Sequence, residues 1–160
     1  MVNAVVAENL TQAHDLWHIR ESIPLAQAEE GLNIKHDISL PISAIADFVA
    51  QTDAALAAAI PGVRIVNFGH LGDGNLHYNV QAPVGVDPAD FLREQEPAIN
   101  TLVFDAVQRF QGSISAEHGI GQLKRDTLPD YKSPVALQLM QAVKQALDPQ
   151  GIMNPGRVLR

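Results

Sequence analysis

An α+β fold built on an antiparallel sheet is what this 160-residue chain predicts, and three observations carry the reading. The run Gly69-His70-Leu71-Gly72-Asp73-Gly74-Asn75-Leu76-His77 reads as a β-hairpin, because Asp-Gly is the dipeptide favoured where both central turn residues need positive φ. Residues 33–40 alternate Ile34, His36 and Ile38 with Lys35, Asp37 and Ser39, the period of a strand with one polar face. Amphipathic helical stretches separate these strands, giving the order strand, helix, strand, strand, helix, strand. That order is the split βαβ, or ferredoxin-like, arrangement, here with extra helices at the N-terminal and C-terminal ends.

Each element has its own signal. Residues 8–30 are helical, with Leu10, Ala13, Trp17 and Arg20 on one stripe, and Pro24 divides them so that a first helix ends near Arg20 or Glu21. Pro41 closes the first strand. Ile42, Ile45, Val49, Leu56 and Ile60 keep helical spacing until Pro61-Gly62. Residues 63–71 and 76–81 are the hairpin arms, and 83–88 a loop. Ile99, Leu102, Val103, Ala106, Val107 and Phe110 form the stripe of the next helix, with Pro97 near its start and Gly112 as its stop. Residues 113–116 supply the fourth strand. Ser133-Pro134 then gives an N-cap and first position for a last helix with Ala136, Leu139, Met140, Val143 and Leu147 on one face. Asp148-Pro149-Gln150-Gly151 ends it, and Asn154-Pro155-Gly156-Arg157 is turn-like.

Composition narrows the function. The length suits one domain with a real core, read as residues 1–160. A net charge of −7 without clustered Lys and Arg argues against a nucleic acid partner. The absence of cysteine excludes disulfides and thiolate chemistry, leaving histidine and carboxylate as the strong metal ligands. No apolar run reaches the about 18 residues of a membrane span. Met1-Val2-Asn3-Ala4 lacks the basic start of a secretory leader, so the chain reads as cytoplasmic, or of the mitochondrial matrix in a eukaryote.

The hairpin proposes half of a metal site. A two-residue turn at Asp73-Gly74 sets His70 opposite His77, and a four-residue loop over residues 72–75 gives the same register. Opposed Cβ atoms lie about 4.5–5.5 Å apart, near enough for two imidazoles to share one ion. Phe68, His70, His77 and Asn79 then share the face that opens toward a site, while Leu71, Leu76, Tyr78 and Val80 face the helices. Two neutral imidazoles call for an anionic third ligand, for which Glu117 in Ser115-Ala116-Glu117-His118-Gly119-Ile120-Gly121 is the candidate. His118 beside it is a base of the type that titrates near neutral pH. In an ideal sheet of this order the hairpin tip and the end of the fourth strand lie at opposite ends, so either the sheet departs from that ideal or the third ligand is supplied differently.

Blander roles compete for each residue. A lone strand histidine is more often a packed residue than a ligand, and a glutamate at a strand end is commonly solvated. Arg20 and Lys35 are ordinary surface cations unless the fold joins them, in which case they would clamp a carboxylate. His14 and His18 have the spacing of a helical zinc pair, but Asp15 stands where that motif has Glu, so they read as a charged helix face. A metal- or ligand-binding module without catalysis, or a zinc hydrolase in which Glu117 or His118 activates water, would use the same residues.

Taken together, Trp17-His18-Ile19-Arg20-Glu21, Lys35-His36-Asp37-Ile38-Ser39, the hairpin, Ser115 to Gly121 and Asn154-Pro155-Gly156 resemble the C-terminal part of FAD-linked 2-hydroxy-acid dehydrogenases of the vanillyl-alcohol-oxidase type. That group includes D-2-hydroxyglutarate dehydrogenase, D-lactate dehydrogenase and the glycolate oxidase flavin subunit. The resemblance implies that His70, His77 and Glu117 bind a divalent metal, zinc, and that His118 takes the hydroxyl proton while a hydride leaves Cα for the flavin. It gives Arg20, Lys35 and Asn79 as substrate-binding residues and places Asn154 near the FAD. The chain departs at Pro24, where related dehydrogenases would offer a hydroxyl to the substrate. It departs also in lacking the N-terminal FAD-binding domain, which must come from elsewhere for a small 2-hydroxy acid to be oxidised to the 2-oxo acid. The substrate's identity and the electron acceptor that reoxidises the flavin are not written in this part. Apolar surface left by the missing domain would favour self-association.

Overall fold

The computed structural model describes residues 4–159; Met1, Val2 and Asn3 of the start read above lie outside them, as does Arg160. In chain order the elements are α1 (Leu10–Glu21), α2 (Ile23–Glu29), β1 (Asn33–Ser39), a 3-10 turn (Ile42–Ala44), α3 (Ile45–Ala59), β2 (Arg64–His70), β3 (Asn75–Gln81), α4 (Pro88–Arg109), α5 (Leu128–Tyr131) and α6 (Pro134–Leu147). The strands form an antiparallel sheet in the order β1-β3-β2, so the mixed α+β reading holds.

The alternation of β1 and β3 sorts their side chains onto two faces. Ile34, His36, Ile38, Leu76, Tyr78 and Val80 are buried on the face covered by α3 and α4. Phe48, Thr52 and Leu56 of α3 and Ile99, Val103 and Val107 of α4 complete this core. Full burial of each large apolar side chain contributes about 1.5–3 kcal/mol. The Phe48 ring packs edge-on against Tyr78 at 5.6 Å and against Phe110 at 5.9 Å. Residues Ile42–Ala59 are long and apolar enough by length and composition to cross a bilayer. Here they serve the core, with Asp53 accepting a hydrogen bond from the Tyr78 hydroxyl (2.5 Å).

Four expectations need correction. The hairpin register differs by two residues: His70 pairs with Asn75 and Phe68 with His77, around a loop of residues 71–74. The cause lies in β1, which fastens Asn75. The Asn75 side-chain amide donates to Asp37 Oδ1 (2.9 Å) and to the Ile38 carbonyl (3.3 Å), and the Leu40 N–H donates to the Gly74 carbonyl (3.0 Å). Gly69 permits the close approach, since a Cβ there would fall 2.1 Å from the Asn75 carbonyl oxygen. A shift of two residues preserves the face, so His70 and His77 stay on one side, diagonal rather than opposed.

The fourth strand shrinks to a single bridge between Ser113 and Ser39, on the edge of β1 where the predicted order places it. The chain turns at once because Ser113 Oγ bonds the Ser115 carbonyl and the loop beyond is drawn onto the sheet. Helix α4 starts at Pro88 rather than near Pro97, with Asp87 capping the N–H groups of Ala89 and Asp90. The Asp87-Pro88 pair is an N-cap and first-position signal that the loop reading absorbed. Finally, Leu71 belongs to the hairpin loop and is exposed rather than facing the helices; exposed too, among the described residues, are Leu10 and Trp17 of α1 and Leu139, Val143 and Leu147 of α6.

Candidate metal and substrate site

The opposite face of the sheet carries Lys35 and Asp37 from β1, Phe68 and His70 from β2, and His77 and Asn79 from β3, as the alternation predicts. Because the fourth strand breaks off after its bridge, the loop after Ser113 crosses this face instead of running past it. Its Glu117 carboxylate reaches both hairpin histidines, with Oε1 3.0 Å from His70 Nδ1 and Oε2 3.4 Å from His77 Nε2. The departure from ideal sheet geometry that the three residues needed is thereby made.

Donor chemistry fits a metal ion. The Glu117 oxygens meet the histidines separately, one at His70 Nδ1 and the other at His77 Nε2. Two imidazoles and one carboxylate are also the borderline-hard set that a divalent cation such as zinc accepts. Among the described residues, Asp37, His77 and Glu117 present ligand atoms within 4.8 Å of one another, while the His70 and His77 ring centroids lie 6.5 Å apart. Asp37, however, has its oxygens engaged: Oδ2 accepts the N–H groups of Glu117 and His118, both at 2.8 Å, and Oδ1 accepts the Asn75 amide. Burial works against its charge, but those three donors outweigh it and hold the Asp37 carboxyl below the usual range.

A cavity of about 600 Å³ adjoins the site, lined by Lys35, His77, Asn79, His118, Lys124 and Arg157 among polar residues and by Pro24, Phe68 and Ile120 among apolar ones. Asn79 is fixed in it by donating to Gln27 Oε1 of α2 (2.7 Å). His118 is exposed, with Nδ1 3.6 Å from Asp37 Oδ2 and its ring 6.1 Å from that of His77. Lys124 donates to the Ile114 carbonyl (2.6 Å), and its own burial lowers its pKa although the Asp37 charge opposes the shift.

The predicted residues therefore separate into three groups. Lys35, His77, Asn79 and His118 line one hollow, and Glu117 and His70 join it at the edge through His77. Arg20 does not line the cavity; its guanidinium lies over the Phe68 ring at 5.6 Å and donates to the Gly69 carbonyl, so it sits behind the cavity's aromatic wall. Asn154, with φ of 48°, lies in a separate groove beside α6 that shares only Arg157 with the cavity. The sequence reading missed Asp37, Gln27, Lys124 and Arg157. Asp37 alone had a usable signal, an acid on the same strand face as Lys35.

Comparison with known proteins places this geometry in a family. Residues 1–158 match the family of FAD linked oxidases, C-terminal domain. The chain is 39% identical over 158 residues to a D-2-hydroxyglutarate dehydrogenase of Stutzerimonas stutzeri, covering 99% of this chain and 34% of that protein. It is 42% identical over 156 residues to the enzyme of that name from Xanthomonas citri pv. viticola, covering 98% and 33%. A mitochondrial D-2-hydroxyglutarate dehydrogenase of Rattus norvegicus is 37% identical over 159 residues, covering 99% and 28%. The chain thus spans about a third or less of the relatives it matches. It belongs to the FAD linked oxidases, C-terminal domain family.

Proposed function

We propose that this chain is the substrate- and metal-binding part of an FAD-dependent dehydrogenase that oxidises a 2-hydroxy acid to a 2-oxo acid. The observation that carries the reading is the Glu117 carboxylate lying between His70 and His77 at the edge of a cavity lined by Lys35, Asn79 and His118. When bound, a divalent ion held by His70, His77 and Glu117 supplies a Lewis acid for the substrate's hydroxyl and neighbouring carboxylate, and the flavin held by the rest of the protein supplies the hydride acceptor.

This chain's residues do the positioning and the proton transfer. Lys35 offers a point charge and Asn79 a fixed amide to the substrate carboxylates, while Lys124 and Arg157 add positive charge to the same hollow. Three cations around one small cavity suit a substrate with two carboxylates, and the names of the relatives make D-2-hydroxyglutarate the first to test. His118, exposed at the cavity rim, takes the hydroxyl proton on an imidazole nitrogen. Arg20 supports the Phe68 wall, and Asn154, on the tail that supplies Arg157, is assigned to the flavin side. The uncovered apolar stripes of α1 and α6 are surfaces for the remaining flavin-binding part.

The test is joint. Metal analysis of the purified chain is expected to find one divalent ion per chain, and the protein completed with its flavin-binding part is expected to reduce the flavin with D-2-hydroxyglutarate, both depending on His77. Metal uptake and flavin reduction that survive His77→Ala would overturn the reading. Metal uptake without flavin reduction by any 2-hydroxy acid would instead establish a binding module.

A further inference from the structure

Among the described residues Asp37 is the one buried carboxylate on the open face of the sheet, 5% exposed against 72% for the His118 side chain that it faces. Its bonds tie together segments far apart in sequence. One oxygen takes the adjacent backbone N–H groups of Glu117 and His118 at 2.8 Å each, and the other takes the side-chain amide of Asn75, at the foot of the hairpin loop. Two successive amides on one carboxylate oxygen fix the direction of the chain at that point, not merely its nearness. The metal-binding carboxylate and the proton acceptor follow directly on those amides. Besides Asp37, the described ties of this stretch to the sheet are the Ser113 bridge before it and the Glu117 side chain beside His70 and His77, neither of which holds the Glu117 and His118 backbone.

We propose that Asp37 is the positioning residue of this site, holding the Glu117 and His118 backbone on the sheet so that the third ligand meets the hairpin histidines and the base faces the cavity. The proposal rests on the reading of His70, His77 and Glu117 as the metal-binding set. It accounts for the two-residue hairpin shift as well, because Asn75 is drawn to the same carboxylate. It also makes a distinction between charge and hydrogen bonding that substitution can reveal. An asparagine at position 37 keeps a carbonyl oxygen for the two amides. Its new NH2 group finds an acceptor in Asn75 Oδ1 once the Asn75 amide turns over, at the loss of the long Asn75 bond to the Ile38 carbonyl.

The experiment combines residue-resolved amide hydrogen exchange of the metal-free chain with zinc affinity by chelator competition, on the unsubstituted chain, Asp37→Asn and Asp37→Ala. In the unsubstituted chain the Glu117 and His118 amides are expected to exchange at least tenfold more slowly than those of Gly119 and Gly121. Asp37→Ala removes that protection and weakens zinc binding on the order of 10–100-fold, as loss of a supporting hydrogen bond does at metal sites, while the β3 amides keep theirs. Asp37→Asn restores the loop protection and brings zinc affinity back to within about threefold, the scale of a supporting contact retained. Glu117 and His118 amides that exchange freely in the unsubstituted chain would overturn the proposal even if Asp37→Ala fails to fold. So would an alanine variant that binds zinc as tightly as the unsubstituted chain, or one that loosens β3 and the loop alike. A chain that binds no zinc at all refutes the metal reading instead, and the exchange data then judge Asp37 by themselves.

Discussion

The histidines of the three strands show how differently the two faces of this sheet use the same chemistry. His36 points into the core, where its Nδ1 bonds the Tyr78 carbonyl (2.8 Å), its Nε2 sits 2.9 Å from the Asn100 side chain, and the Phe104 ring stands edge-on at 5.4 Å. Burial lowers its pKa to about 4, the bonds to Tyr78 and Asn100 only partly opposing, so it is a neutral packing residue. His70 and His77 stand on the other face, exposed or half-buried, with a carboxylate between them. An imidazole becomes structural when its partners are fixed backbone and amide groups in a dry core. It becomes available for a ligand when its partner is an acid brought in on a loop.

Substitutions on the two faces should separate folding from binding. The largest effect belongs to the open face: His77→Ala is expected to weaken zinc binding on the order of 100-fold or more, since it deletes a ligand rather than a supporting group. Its thermal midpoint without metal should stay within a few degrees, because the His77 side chain lies on the face of the sheet away from the core. Isothermal titration with zinc and a thermal melt check both. Phe48→Ala should do the reverse, losing about 3–5 kcal/mol of stability in a denaturant titration while the folded fraction keeps its zinc affinity.

The pH dependence of stability gives the third contrast. A histidine whose folded pKa lies below its unfolded value lets the unfolded chain bind protons first, so the stabilisation is complete above pH 6.5 and lost as pH falls toward 4. His36 should therefore cost about 3 kcal/mol over that window, read from urea midpoints at successive pH values, and a flat profile would contradict its burial as a neutral group. Smaller again is Arg20→Ala. It removes a guanidinium from the Phe68 ring and should cost about 0.5–1 kcal/mol, with zinc affinity unchanged.

Much of this was written in the sequence. Period-two alternation sufficed to put Phe68, His70, His77 and Asn79 on one face, because face depends only on parity, and Leu76, Tyr78 and Val80 on the other, while Leu71 falls in the loop. Register was harder to see, since Asp73-Gly74 suggests a tight turn while the choice was made by Asn75, whose amide is claimed by a strand far away in sequence. The fourth strand failed for a similar reason. Residues 113–116 have strand character, yet Asp37 captures the chain at Glu117 before pairing can extend. Long-range capture by a single carboxylate leaves no local pattern. The cavity's extra cations, Lys124 and Arg157, were hidden likewise, as each lies in a segment whose local signal reads only as loop.

Anomalous diffraction at the zinc edge from zinc-soaked crystals of this chain addresses the central claim most directly. The account predicts one peak bound by His70, His77 and Glu117, at the about 2.0–2.2 Å of zinc–nitrogen and zinc–oxygen bonds. A hairpin without a peak, with Glu117 still bonded to the two rings as a plain ion pair, would contradict it.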